Sequence, residues 1–247
     1  MMSAAFLSFL QPFVIGGVFV LLYLAEHGFP QRPEKSKYRH DVFNLSIGLL
    51  NSALVFVEGY TLQKVLEYTA HFQFGLFHLG LGNGLIRGLA EFLVLDLCMY
   101  GWHRLNHTWP LLWRFHRFHH QDVQMNSTSA FRFHFLELSA SWMMLMLVFG
   151  LLGISWVGLL VYKLVFFPVV LLHHSNIRVS PWVDRLIRKG FISPGLHRIH
   201  HSQWQPETDS NFGSVLPWWD LLFGTYRRQA RGEIIFGVQQ TPPNPPL

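Results

Sequence analysis

The 247-residue sequence predicts an all-α fold, a polytopic bundle of membrane helices with a helical and loop cap that carries clustered histidines. Three observations predict it. Half of the residues are apolar and only 13% are charged, against roughly 25% in soluble domains, so the surface is too poor in charge to face water everywhere. Several apolar runs approach the ~20 residues that cross a hydrocarbon core, and Phe135 to Leu172 contains only Glu137 and Lys163 as charges. Ten of the fifteen histidines fall in four tight clusters at the ends of these runs.

In chain order, the first apolar run is Phe6 to Ala25. It has neither a basic leader nor a small-residue cleavage signature, so a retained helix is expected rather than a cleaved signal peptide. His27-Gly28-Phe29-Pro30 marks its end, and a polar segment leads to a second helix from Val42 to about Leu62, interrupted by Glu58. A glycine-rich connection, Phe74 to Gly84, precedes a third helix over Leu85 to His107. Glu137 to Leu172 reads as a helical hairpin broken near Gly150-Leu151-Leu152-Gly153. From His173 onward the chain is polar and loop-rich, and Thr241 to Pro246 is expected to be irregular. Trp218, Trp219, Phe223 and Tyr226 read first as packing, then as an interfacial belt or lid.

Charge placement gives an orientation. Sixteen of the nineteen Lys and Arg lie in the stretches 31–41, 103–132 and 178–231, leaving Lys64, Arg87 and Lys163. Cytoplasmic loops carry the excess of basic residues, so both histidine-rich regions are expected on the cytoplasmic face if the hairpin enters and leaves by one side. The net charge of +5 then suits anionic lipid headgroups and not nucleic acid, because the basic residues sit beside apolar segments. The single cysteine, Cys98, excludes an intramolecular disulfide framework and any cysteine-based zinc module.

The histidine spacing points to metal. His103 and His107, at i and i+4, share one helical face. His116, His119 and His120 form an HxxHH pattern that His197, His200 and His201 repeat about eighty residues later, and His173-His174 follows the hairpin directly. Imidazole suits iron, zinc, copper and nickel, and nine or ten ligands exceed what one ion uses, so two ions are expected. Ionisable groups at the ends of apolar helices are costly and usually functional. The solitary His27, His40, His71 and His78 read instead as satisfied polar or interfacial residues. Asp96, two turns before His103, is expected on the same face, where it would orient an imidazole as an acceptor.

The run Asp96 to His107, the box His116 to His120, Arg132-Phe133-His134-Phe135-Leu136-Glu137, His174-Ser175-Asn176, His197 to His201, Asn211-Phe212-Gly213 and Trp219 to Tyr226 together resemble the fatty acid hydroxylase and sterol desaturase superfamily. The resemblance covers about residues 85–228, expected as the catalytic domain, with membrane helices in 1–84 and a tail in 229–247. It departs at Phe135, where the family has proline, and at His173, so His134 and His173 are set apart from the nine expected ligands. Arg132, His134 and Glu137 read first as a polar network bracing their loop.

The resemblance implies two iron ions that use O2 to hydroxylate or desaturate an unactivated C–H bond of a lipid such as a fatty acyl chain or sterol. An ether-lipid monooxygenase of the same superfamily is the alternative. Zinc could replace iron in an overproduced sample. No Rossmann fingerprint, haem motif or cysteine cluster occurs, so electrons are expected from a separate ferredoxin, cytochrome or reductase. A membrane metal transporter or sensor is the reading from another class, and ligands gathered at one membrane face disfavour it.

Overall fold

The computed structural model describes residues 4–34, 37–80 and 84–239, so the tail expected to be irregular at 241–246 lies outside the described residues. Ten α-helices are present among the described residues: α1 (Ala4–Gly28), α2 (Lys37–Phe72), α3 (Leu85–Thr108), α4 (Pro110–His120), α5 (Phe135–Leu152), α6 (Trp156–His174), α7 (Pro181–Ile187), α8 (Pro194–His200), α9 (Gln205–Thr208) and α10 (Trp218–Leu222). Short 3-10 turns lie at Leu76–His78 and Ser127–Phe131, and the described residues contain no β-strand beyond two isolated bridges.

Four helices, α1, α2, α5 and α6, are long and apolar enough to cross a membrane, so the chain is a multi-pass membrane protein. Their outer faces are exposed apolar side chains such as Leu50, Phe56 and Leu147, as lipid contact requires. α6 is the most buried of the four and packs against both α1 and α3, while α2 packs against α5. The hairpin falls where the sequence places it. Gly153 closes α5 in the left-handed region (φ 65°), and the Ser155 side chain caps α6 by accepting from Gly158 N.

α2 runs ten residues past its expected end, to about 54 Å in length. No glycine or proline interrupts residues 63–72, and Gln63 and Lys64 both bond Glu67 along the helix surface. α3 differs from the spanning helices in composition, carrying Arg87, Glu91 and Asp96 in its buried face. The first two are satisfied at the hairpin turn. Arg87 pairs with Glu91 at 2.9 Å and donates to Gly153 O, and Glu91 accepts from Ser155 N and Oγ.

These contacts define the two ends of the bundle. At the far end the α5–α6 turn meets the start of α3, Trp156 bonds Ser8 near the start of α1, and Gly75 (φ 112°) packs so tightly on Gly153 that a Cβ there would clash with backbone. At the other end the loops after α1 and α6 join through Gln31 N to Asn176 O, and the start of α2 meets the post-α4 loop through His40 and Asp122 (2.7 Å). An apolar core around Leu66, Leu95, Phe149 and Leu159 fills the interior between α2, α3, α5 and α6. Every clustered histidine lies at the second end.

Candidate metal centre

Four elements converge on one buried volume. α3 supplies His103 and His107 from its last two turns, and the extended Trp109 followed by Pro110 at the first position of α4 folds that helix back on α3. α4 then presents His116, His119 and His120. The last turn of α6 supplies His174, and α8, capped by Ser193 with Pro194 at its first position, supplies His197 and His200, with His201 directly after its end.

The nine histidines form two groups. His103, His107, His116, His120 and His200 make one, and His119, His174, His197 and His201 the other, each with ligand-capable nitrogens within 4.8 Å of one another. The groups adjoin where the His120 ring stacks on His201 at 4.4 Å between centroids. Eight of the nine rings are buried and His103 is half-buried. Burial disfavours the charged form, so His119, His120, His197 and His201 titrate well below the usual histidine value and His200 falls to about 3. Neutral imidazoles keep a lone pair.

Hydrogen bonds fix where that lone pair points. The Nδ1–H groups of His103, His174 and His200 donate to the carbonyls of Phe212, Val170 and Ser210, each at 2.8 Å, and His119 Nδ1–H reaches Arg132 O at 3.3 Å. A carbonyl can only accept, so Nδ1 carries the proton and Nε2 is bare. His116 Nδ1 meets Glu137 Oε1 at 2.6 Å in the same way.

The consequence is that His103, His116, His119, His174 and His200 turn bare Nε2 atoms inward. His119 Nε2 lies 3.1 Å from His174 Nε2, although both rings have spent their proton on a carbonyl. His197 Nε2 is 3.0 Å from His174 Nε2 and 3.1 Å from His201 Nε2, and His116 and His120 face each other at 3.2 Å. Among the described residues, buried His200 Nε2 and both nitrogens of His107 have no hydrogen-bond partner. Such groups need an explanation, and a cation supplies one: two imidazole nitrogens bound cis at about 2.1 Å stand about 3 Å apart. The donor set therefore fits two metal ions.

The two histidines set apart, His134 and His173, stand outside both groups. His134 caps α5 by accepting from Leu136 N at 3.2 Å, with its ring between Phe115 and Phe135. His173 is buried with its ring 3.8 Å from that of His197, one helical position out of phase with His174. Asp96 corrects the sequence expectation. It accepts from Trp219 Nε1 (2.8 Å), Leu216 N (3.1 Å) and Tyr162 O–H (3.1 Å), not from an imidazole, because residues 215–219 fold back over α3 and cover it. Glu137 is the carboxylate that the sequence reading assigned elsewhere and that touches a clustered histidine. Asp209 Oδ1 is 3.4 Å from His107 Nδ1 without hydrogen-bond alignment.

The closing motifs now have a physical role. Asp220 accepts from Phe212 N, Gly213 N and Thr225 Oγ1, and Asn211, held in the left-handed region (φ 55°), donates to Leu196 O and Arg227 O. Together they shape the loop whose carbonyls at 210 and 212 orient His200 and His103. Asn176 likewise ties the loop after α1 to the end of α6, through Arg32 O and Glu34. Beside the centre a cavity of about 100 Å³ opens between α3, α5 and α6, walled by Met99, Phe166 and Val170 and facing His103, His116 and His119. Trp102 on α3 bonds Ser141 on α5 at its edge (2.8 Å).

Fold and site together define a helical membrane protein with a buried nine-histidine centre beside a small cavity walled partly by apolar side chains. The chain belongs to the fatty acid hydroxylase family, which its residues 88–225 match. It is similar to an ornithine lipid hydroxylase of Rhizobium tropici, 32% identical over 68% of this chain and 49% of the relative. It is also similar to the human alkylglycerol monooxygenase, 27% identical over 60% of this chain and 32% of the relative, and to a rat cholesterol 25-hydroxylase, 30% identical over 55% and 45%. The chain thus spans half or less of the length of these relatives. No solved structure matches it significantly.

Proposed function

We propose that this chain is a di-iron lipid hydroxylase that inserts one oxygen atom of O2 into an unactivated C–H bond. The observation that carries the reading is the pair of histidine groups with converging ring nitrogens, five of them unprotonated Nε2 atoms, beside a cavity walled in part by hydrocarbon. His103, His107, His116, His120 and His200 would hold one ion and His119, His174, His197 and His201 the other. When bound, the two irons supply the redox chemistry that activates O2. The relatives named above act, by their descriptions, on ornithine lipid, alkylglycerol and cholesterol, all of them lipids. Desaturation, or oxidation beside an ether oxygen, would use the same site.

The chain's own residues do the rest. Glu137 and the carbonyls of 132, 170, 210 and 212 hold the imidazoles in place. Met99, Phe166 and Val170 receive a hydrocarbon segment, and the apolar walls exclude water that would intercept the oxidant. Hydroxylation consumes O2, two electrons and two protons and releases water, so an external ferredoxin, cytochrome or reductase must donate the electrons. The basic loops share the histidine end, which supports placing that end in the cytoplasm. The test is turnover of a lipid extract by protein reconstituted with ferrous iron, with an electron donor, under isotope-labelled O2. Label in a hydroxylated lipid is expected, and oxidation that proceeds without O2 would refute the reading.

A further inference from the structure

The segment after the last histidines returns alongside the membrane helices. Leu216 N and Trp219 Nε1 both reach Asp96, two turns below His103, and Phe223 stacks on Tyr100 of α3 at 5.4 Å. α10 is thereby held against α3, and Leu221, Leu222 and Phe223 are exposed there, Leu222 at 68%. Trp218 Nε1 donates to Lys189 O and joins α10 to the end of α7, which presents Trp182 (65% exposed) and Leu186 outward. Aromatic and aliphatic side chains on short elements beside a bundle are placed as in an interfacial anchor.

Between α7 and residues 221–228 lies a cavity of about 470 Å³. Trp182, Leu186 and Leu221 line it together with Arg185, Lys189 and Arg228. Arg188, also in its wall, is held by Asp184 and by the Arg228 carbonyl, whereas Arg185, Lys189 and Arg228 have no carboxylate partner among the described residues. Three unpaired cations beside exposed apolar side chains complement a ligand with an anionic head and apolar tails. A soluble acidic protein would match the charge but leave Leu221, Leu222 and Phe223 uncovered. We propose that this cavity binds the phosphate of an anionic phospholipid from the leaflet on the histidine side, with the acyl chains lying along α10.

The inference rests on neither metal nor reaction, so it is tested without turnover. The full chain is reconstituted in nanodiscs of equal phosphatidylglycerol and phosphatidylcholine, and retained lipid is read by native mass spectrometry. Wild type should retain phosphatidylglycerol preferentially. The triple variant Arg185→Gln/Lys189→Gln/Arg228→Gln should lose that preference by about a hundredfold, from about fivefold per basic side chain at an anionic surface. Arg185→Lys/Arg228→Lys should keep it, as should Arg114→Gln/Arg117→Gln, which removes two exposed charges on α4. Equal retention of both lipids by wild type overturns the proposal even if the triple variant does not fold. Undiminished preference in a folded triple variant, or displacement of the lipid by inorganic phosphate alone, also overturns it. So does capture of an acidic ferredoxin by wild type, lost in the triple variant, with no lipid preference.

Discussion

Glu137→Ala removes the acceptor that holds His116, and its effect follows from the geometry. The Oε1 to Nδ1 contact is 2.6 Å and both side chains are about 5% exposed, so solvent screens the pair little. A carboxylate behind a metal-bound imidazole fixes its orientation and raises its basicity, and losing it lowers metal affinity or activity by roughly 10–100-fold. Alanine leaves the buried Nδ1–H without a partner and should fall at the upper end of that range. Glu137→Gln keeps an acceptor but not the charge and should fall at the lower end. Ferrous affinity measured by chelator competition, alongside turnover, checks both. Affinity and turnover within about twofold of wild type in a folded Glu137→Ala protein would refute the role.

Three further predictions concern residues around the centre. Asp96→Asn should fold, bind metal and turn over within about twofold of wild type, because an amide oxygen can take the Trp219 and Leu216 donors while the Tyr162 hydroxyl turns to accept. Asp96→Ala, by contrast, orphans buried donors at roughly 1–3 kcal/mol each and should lower the thermal midpoint in detergent. Asp220→Asn should weaken metal binding, since its carboxylate faces N–H donors on both oxygens and an NH2 group must oppose one of them; unchanged metal content would contradict this. Metal-free protein should lose stability on acidification. Histidines with lowered folded values, His200 at about 3 among them, favour the folded state fully above the unfolded value near 6.5. That contribution falls as pH drops from 6.5 toward the folded value, so a melting midpoint insensitive to pH between 7 and 5 would count against it.

Some of this was legible in the sequence because it is local. The i, i+4 pair His103 and His107 and the two HxxHH patterns share faces by helical periodicity alone, and Gly153 marks the hairpin because only a left-handed residue closes α5 there. Helix phase within a cluster was less legible. Adjacent His173 and His174 differ by about 100° around α6, and only the position of α8 decides that His174 faces the second group. Asp96 was misread because its partner segment arrives about 120 residues later. The carbonyls at 132, 170, 210 and 212 have no residue-type signature, although the Asn211 and Asp220 motifs that set two of them do. Glu137 had a signal, a carboxylate in the first turn after His134, but its target across the α4–α5 contact is tertiary.

On the proposed reading, nine histidines hold two ions in two adjoining groups. Metal per chain, measured after anaerobic reconstitution with ferrous iron and removal of excess, tests it most directly on wild type, His107→Ala and His197→Ala. Two ions per wild-type chain are predicted, with each variant losing chiefly the ion of its own group. A single ion per wild-type chain, or full occupancy in both variants, would rule out two separate histidine-held ions.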